Sequence, residues 1–210
     1  MTPEYENLIN SLIKDGYLKT PSIVEAFKNI NRADFVPEDC KADACVNAPL
    51  PIGFDQTISQ PLTVAFMLEL LEAKPGEKIL DIGAGSGWTV TLLAELISEN
   101  GKVIGIERIA ELKEMAEKNV SKYDFIKKGI AEIVLADGSK GYKKEAPYDK
   151  IIAGAAAQGD VPDNWRKQLK IGGRIVAPVE NSVIVIDKVG KNKYSQKEYF
   201  GFSFVPLIKD

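Results

Sequence analysis

Apolar side chains recur at helical spacing in two early segments, residues 4–14 and 21–30, the second opening on Pro21, whose fixed φ suits a first helical turn. Both predict helices of an N-terminal cap. From Ala33 to Ser59 the period is lost and Pro37, Pro49, Pro51 and Gly53 accumulate, which predicts a long ordered loop of the kind that carries function. Pro61 then opens an almost wholly apolar helix running to Ala73.

After Lys74-Pro75-Gly76 the pattern alternates as a parallel sheet requires: strand 78–82, helix from about Trp88 to Ser98, strand 102–107, helix from about Ala110 to Val120. Further strands are expected at 131–136, 149–154, 173–178 and 182–189, with a helix near 161–169. A last apolar segment, 199–205, follows with no helix before it, so the sheet is expected to finish with antiparallel strands. The fold class predicted is α/β: a doubly wound, mostly parallel sheet with an N-terminal helical cap. One domain is expected for 210 residues: helices and a substrate loop over 1–60, a cofactor-binding core over 61–180, and closing strands over 181–210.

Composition narrows the chemistry. Hydrophobic residues make up 45% and charged residues 27%, an ordinary globular balance that argues against disorder. There is no histidine, so Ser-His-Asp and Cys-His catalysis are excluded, and Cys40 and Cys45 have no nitrogen partner for zinc; no metal site is expected. A net charge of −3 with scattered Lys and Arg disfavours nucleic acid as a partner. Apolar stretches are strand-sized or broken by charge, and residues 1–20 lack the form of a signal peptide, so a cytoplasmic monomer with no membrane partner is expected.

The sharpest local feature is Ile79-Leu80-Asp81-Ile82-Gly83-Ala84-Gly85-Ser86-Gly87, a buried strand running into a glycine turn and then a helix. A dinucleotide fingerprint, G-x-G-x-x-G, would place its third glycine at position 88, where this chain has Trp88. The observed G-x-G-x-G, with Asp81 two residues ahead, resembles motif I of class I methyltransferases. That resemblance implies a Rossmann-like methyltransferase fold in which Gly83, Ala84, Gly85, Ser86 and Gly87 cradle the methionine half of S-adenosyl-L-methionine. Glu107, ending the next strand, is placed to accept from ribose hydroxyls, and Asp137-Gly138 falls where this fold holds the adenine edge. Other roles are open to these acids: Asp81 could satisfy the N–H groups of the turn, and strand-end carboxylates often cap helices.

The acceptor is addressed by Gln56-Thr57-Ile58-Ser59-Gln60-Pro61, where the chain resembles the protein-L-isoaspartate O-methyltransferases. The likeness extends through Arg32-Ala33-Asp34-Phe35-Val36-Pro37, Asp137-Gly138-Ser139-Lys140-Gly141-Tyr142, Tyr148-Asp149-Lys150-Ile151-Ile152, the run from Gln168 to Arg174, and Phe204-Val205-Pro206-Leu207. It implies methylation of the free α-carboxylate of isoaspartyl residues in damaged proteins and peptides, with Ser59 donating to that carboxylate and Thr57 and Ile58 shaping the floor. A serine ahead of Pro61 is equally a natural helix N-cap. Val64, Ala136 and Glu180 depart from the family pattern. The rival readings are a class I methyltransferase acting on a small molecule or RNA, and a non-catalytic binder of cofactor or damaged protein.

Overall fold

The structure, a computed structural model, describes residues 2–208. Helices α1 (Pro3–Lys14) and α2 (Pro21–Asn29) form where their apolar periodicity and leading prolines predict. On α1 the buried face is Tyr5, Leu8, Ile9 and Leu12, and the Thr2 side chain caps the first turn by accepting from the Tyr5 amide. The expected loop is more structured than its lost period suggested. It holds two short 3-10 turns, Arg32–Phe35 and Glu38–Asp43, and a small hairpin of β1 (Leu50–Gly53) and β2 (Gln56–Ile58). Phe54 and Asp55 at its tip both have positive φ, as a tight two-residue hairpin connection demands.

Helix α3 (Pro61–Leu71) leads into β3 (Lys78–Ile82), α4 (Trp88–Ile97), β4 (Lys102–Glu107), α5 (Ala110–Ser121) and β5 (Ala131–Leu135). Then come β6 (Tyr148–Ala153), α6 (Asp163–Gln168), β7 (Leu169–Val179), β8 (Ser182–Gly190) and β9 (Lys193–Phe200). The sheet order is β5-β4-β3-β6-β7-β8-β9, parallel from β5 to β7 and antiparallel for β7-β8-β9. The chain winds outward from β3 in one direction and, after β5, restarts at β6 on the other side. The crevice between the ends of β3 and β6 is therefore the topological switch point where such sheets receive ligands. Alternation along the strands feeds two cores: Ile79 and Val103 pack with the N-terminal helices, while Leu80, Ile82, Ile104 and Ile106 face α6 and β7.

One strand is misplaced by the pattern. The final strand is β9, ending at Phe200, and not the apolar run 199–205. β9 is an edge strand exposed along nearly all its length, so burial imposed no alternation on Lys193–Phe200 that a sequence reading could detect. Gly201, with φ of 99°, turns the chain out of the sheet. The apolar residues beyond it cross the strand ends as a strap, tied to Ala156 by its amide donating to the Val205 carbonyl at 2.8 Å and the Leu207 amide donating back at 2.7 Å. No helix among the described residues is long and apolar enough to cross a membrane.

Candidate active site

The glycine turn after β3 is shaped by two different needs. Gly85 has φ of 55°, and an added Cβ there would touch only Ile52 at 3.4 Å, so its openness faces the crevice. Gly87 has φ of 89°, and a Cβ there would lie 2.9 Å from Val120 Cγ2 and 3.1 Å from the Ala116 carbonyl, so this glycine lets α5 pack on the turn. The turn is held by the amides of Gly83 and Ala84, which both donate to the Ile106 carbonyl at 2.9 Å. Ser86 is buried within it, its carbonyl accepting from Asn119 Nδ2 at 3.0 Å, and Trp88 is buried in the core.

Above the turn lies a pocket of about 570 Å³, lined by Gly83, Gly85, Glu107, Gly138 and Gly154 on the sheet side and by Val205 to Ile208 of the strap opposite. Glu107 is buried and its carboxylate is held on both oxygens. Oε2 accepts from the Gly85 amide at 2.9 Å, and Oε1 from the amides of Arg108 at 2.7 Å and Ile109 at 2.9 Å. These bonds fix its remaining lone pairs at the pocket wall. Asp137, expected at the adenine edge, is engaged with its own turn. Ala136 and Gly138 line the pocket without it, and its Oδ1 caps the next turn by accepting from the Ser139 amide at 2.9 Å. Its Oδ2 has no well-directed hydrogen bond but forms an ion pair with Lys140 Nζ at 3.0 Å. Burial pushes this carboxyl up, but bonds from Ser139 and the Lys140 charge outweigh it and draw it down to about 2.

Asp81 is the anomaly of the core. It is 1% exposed, its Oδ2 has no partner, and no amide of the glycine turn donates to it, so the capping alternative does not hold. Burial, reinforced by the negative charge of Glu107, pushes its carboxyl up to about 8. It lines a small cavity of about 270 Å³ together with Ser59, Val64, Thr89 and Phe204. Such a buried, unsatisfied acceptor fits a ligand that carries a donor, above all a cationic one.

Ser59 sits where several hollows join. It lines the Asp81 cavity, the groove over Gly83 to Ser86, and an outer cleft of about 700 Å³ whose wall is Thr57, Ser59, Gln60, Thr63 and Ser203. The N-cap of α3 is Gln60, whose own side chain makes no capping bond. Among the described residues the Ser59 hydroxyl has no hydrogen bond, which removes the capping alternative and leaves it available to the cleft. Thr57 is exposed and lines both the large pocket and the cleft, whereas Ile58 is 4% exposed and packs into the core beneath. Gly154 touches all four hollows, and a Cβ there would fall 3.0 Å from the Gly83 carbonyl.

The sequence reading did not assign Gly154, Arg108, Ile109 or the strap to the site. The strap left a readable trace, an apolar run containing Pro206 beyond a glycine, but it was assigned to the sheet. Of the departures, Val64 and Ala136 line the hollows, while Glu180 occupies a left-handed turn position with φ of 51° outside them, a conformation that glycine adopts most readily.

The family model described as Protein-L-isoaspartate(D-aspartate) O-methyltransferase matches residues 3–210. A protein-L-isoaspartate O-methyltransferase of Ignicoccus hospitalis is 42% identical over 214 residues, covering 100% of both chains. One from Methanopyrus kandleri is 41% identical over 207 residues, covering 97% of this chain and 90% of its own. A crystal structure from Plasmodium falciparum, in complex with S-adenosyl-L-homocysteine, superposes with a TM-score of 0.87 at 23% identity over 98% of this chain and 99% of that one, a likeness of fold. With a match over nearly its whole length and relatives this similar, the chain belongs to the protein-L-isoaspartate(D-aspartate) O-methyltransferase family.

Proposed function

We propose that this protein transfers the methyl group of S-adenosyl-L-methionine to the free α-carboxylate of L-isoaspartyl residues in damaged proteins and peptides. The observation that carries the reading is the meeting of two uncommitted polar groups, the Ser59 hydroxyl and the Asp81 carboxyl, on one cavity beside the glycine turn. The cofactor, when bound, supplies a methyl group made electrophilic by its sulfonium. The residues present fit it: Gly83 and Gly85 leave backbone open to the crevice, Asp81 offers a buried acceptor to an α-ammonium group, and the amide-held Glu107 carboxylate turns spare lone pairs toward ribose hydroxyls. Ala136 and Gly138 leave a smooth wall for adenine. Asp137 acts on that wall indirectly, by fixing the turn that carries Gly138.

The acceptor carboxylate has an ordinary pKa near 4 and is ionised at neutral pH, so its oxygen needs no general base, in keeping with a chain that has no histidine. What the protein must do is hold that oxygen in line and keep water away. Ser59 donates to the carboxylate from the junction of cleft and cavity. Thr57 flanks it and Ile58 stiffens the floor from below. Offering a labelled methyl donor with matched isoaspartyl and aspartyl peptides tests the reading: label should enter the isoaspartyl peptide alone, and equal labelling of both, or none, overturns it.

A further inference from the structure

Arg32 is wholly buried, yet among the described residues no carboxylate pairs with it. Its guanidinium donates only to backbone carbonyls. Nη1 reaches Ala44 at 3.0 Å and Val46 at 3.1 Å, and Nη2 reaches Ala48 at 2.8 Å and Ser59 at 3.2 Å, while Nε has no partner. The charge also lies over the Trp88 ring, 5.4 Å from its centroid, and Trp88 is the first residue of α4 after the glycine turn. One side chain thus joins the 44–48 segment, the Ser59 peptide and the start of the helix that follows the cofactor turn.

An uncompensated buried cation is costly, and neutral carbonyls repay it only partly. A core that needed packing alone would be served by a leucine or methionine at this place. The fork geometry of arginine is what the four carbonyls use; lysine could not satisfy them together. Asn47, in the same segment, secures the start of α3 separately: its Oδ1 accepts from the Leu62 amide at 3.0 Å and its carbonyl accepts from Gln60 Nε2 at 3.0 Å. The position of α3 therefore has its own support, and the Arg32 bond to Ser59 is left to set the orientation of that one peptide.

We propose that Arg32 is a positioning residue for methyl transfer: by tying the Ser59 carbonyl to residues 44–48 and to Trp88, it fixes the Ser59 hydroxyl against the glycine turn, and its unneutralised charge favours an anionic acceptor in the adjoining cleft. The inference rests on the reading of Ser59 as the acceptor contact. Arg32→Lys keeps the charge and loses the fork; Arg32→Gln loses the charge and keeps two donors.

Both variants are to be measured with isoaspartyl peptide as acceptor, beside Ser59→Ala and the Arg32→Lys/Ser59→Ala double variant, with S-adenosylhomocysteine affinity determined separately by calorimetry. Misdirection of the hydroxyl should lower kcat of Arg32→Lys by about tenfold to a hundredfold. Cofactor-product affinity should stay within about twofold, and the double variant should be no slower than the slower single one. Arg32→Gln should in addition raise the acceptor KM. Unchanged turnover in Arg32→Lys, losses that multiply in the double variant, or cofactor affinity falling in step with kcat would each overturn the inference. Should Arg32→Lys fail to fold, Arg32→Gln carries the same double-variant comparison. If Ser59→Ala alone leaves turnover unchanged, the acceptor reading of Ser59 fails and this inference with it; if Ser59→Ala is slow and Arg32→Lys is normal, only the inference falls.

Discussion

Ser59 and Glu107 serve different halves of the same reaction, and their bonding explains how to separate them. Glu107 holds three backbone amides, at 2.9, 2.7 and 2.9 Å, so Glu107→Ala removes a ribose acceptor and also frees the Gly85 amide that shapes the pocket. Charged hydrogen bonds of this kind are worth about 1.5–3 kcal/mol, which predicts a cofactor affinity weaker by about tenfold to a hundredfold in titration calorimetry. The Ser59 hydroxyl has no bond to lose among the described residues. Ser59→Ala should leave that affinity alone and slow turnover by about tenfold to a hundredfold, the value of one hydrogen bond to a charged carboxylate. Asp81 adds a pH dependence. Its folded-state carboxyl is raised from 3.8 to about 8, so in the ligand-free protein it stays protonated where the unfolded chain has already ionised. Its contribution is therefore fully present below about pH 4 and is lost as pH rises to about 8, the unfolded state binding fewer protons throughout that window. Asp81→Asn should remove this decline, making the ligand-free protein more stable at pH 8 by about 1–3 kcal/mol while weakening cofactor binding. Urea midpoints of the two proteins at pH 4 and pH 8 decide it: a difference that does not grow with pH contradicts the assignment.

At the scale of elements, the turn between β3 and α4 contains a contrast that sequence alone could not show. Gly85 and Gly87 look alike in the motif, but one faces the pocket and the other faces α5. A methyl group at Gly87 would press on Val120 and Ala116 in a left-handed conformation, so Gly87→Ala should destabilise the fold by about 1–3 kcal/mol through strain and overpacking. Gly85→Ala, with only Ile52 nearby at 3.4 Å, should cost less stability and more cofactor affinity. Thermal melting set beside calorimetry separates the two; equal effects on both quantities would show that the motif glycines share one role. What the sequence made legible follows the same logic. Strands β3, β4, β6 and β8 and helices α3 to α5 are buried against neighbours, so burial wrote their period into the residues, and Ser59, Glu107 and the glycine turn follow from their places in that frame. β9 has solvent on its outer edge and left no period, while the strap is apolar because it covers strand ends, which a strand-like pattern imitates. Asp137 was legible only in part: a strand-end acid can serve a ligand or its own turn, and the 2.9 Å bond from the Ser139 amide adds the second of these, which the pattern did not show.

Across the whole molecule, the pocket is assembled from parts that are far apart in sequence and unequally anchored. The central strands fix Gly83, Glu107 and Gly154, while two walls come from outside the main sheet: the β1-β2 hairpin, which brings Gln56 and Thr57, and the strap from Val205 to Ile208. The strap is pinned near the pocket through Ala156 by bonds of 2.8 and 2.7 Å, so its local stability is low compared with that of the strands beneath. A ligand filling this pocket touches the strap and the sheet at once, and its binding energy must appear as stability of both. At a concentration one hundred times its dissociation constant, S-adenosylhomocysteine should stabilise the protein by about 2.7 kcal/mol. For a chain of this length that corresponds to a melting temperature higher by about 5–10 °C. Hydrogen exchange locates the gain. The Ala156 and Leu207 amides, which make the two strap bonds, should exchange more slowly with ligand bound, and by a larger factor than amides of β8, which no ligand touches. Strap amides that exchange at the same rate with and without ligand would mean that residues 205–208 lie beside the pocket and not over its occupant, and the walls of the site would have to be redrawn without them.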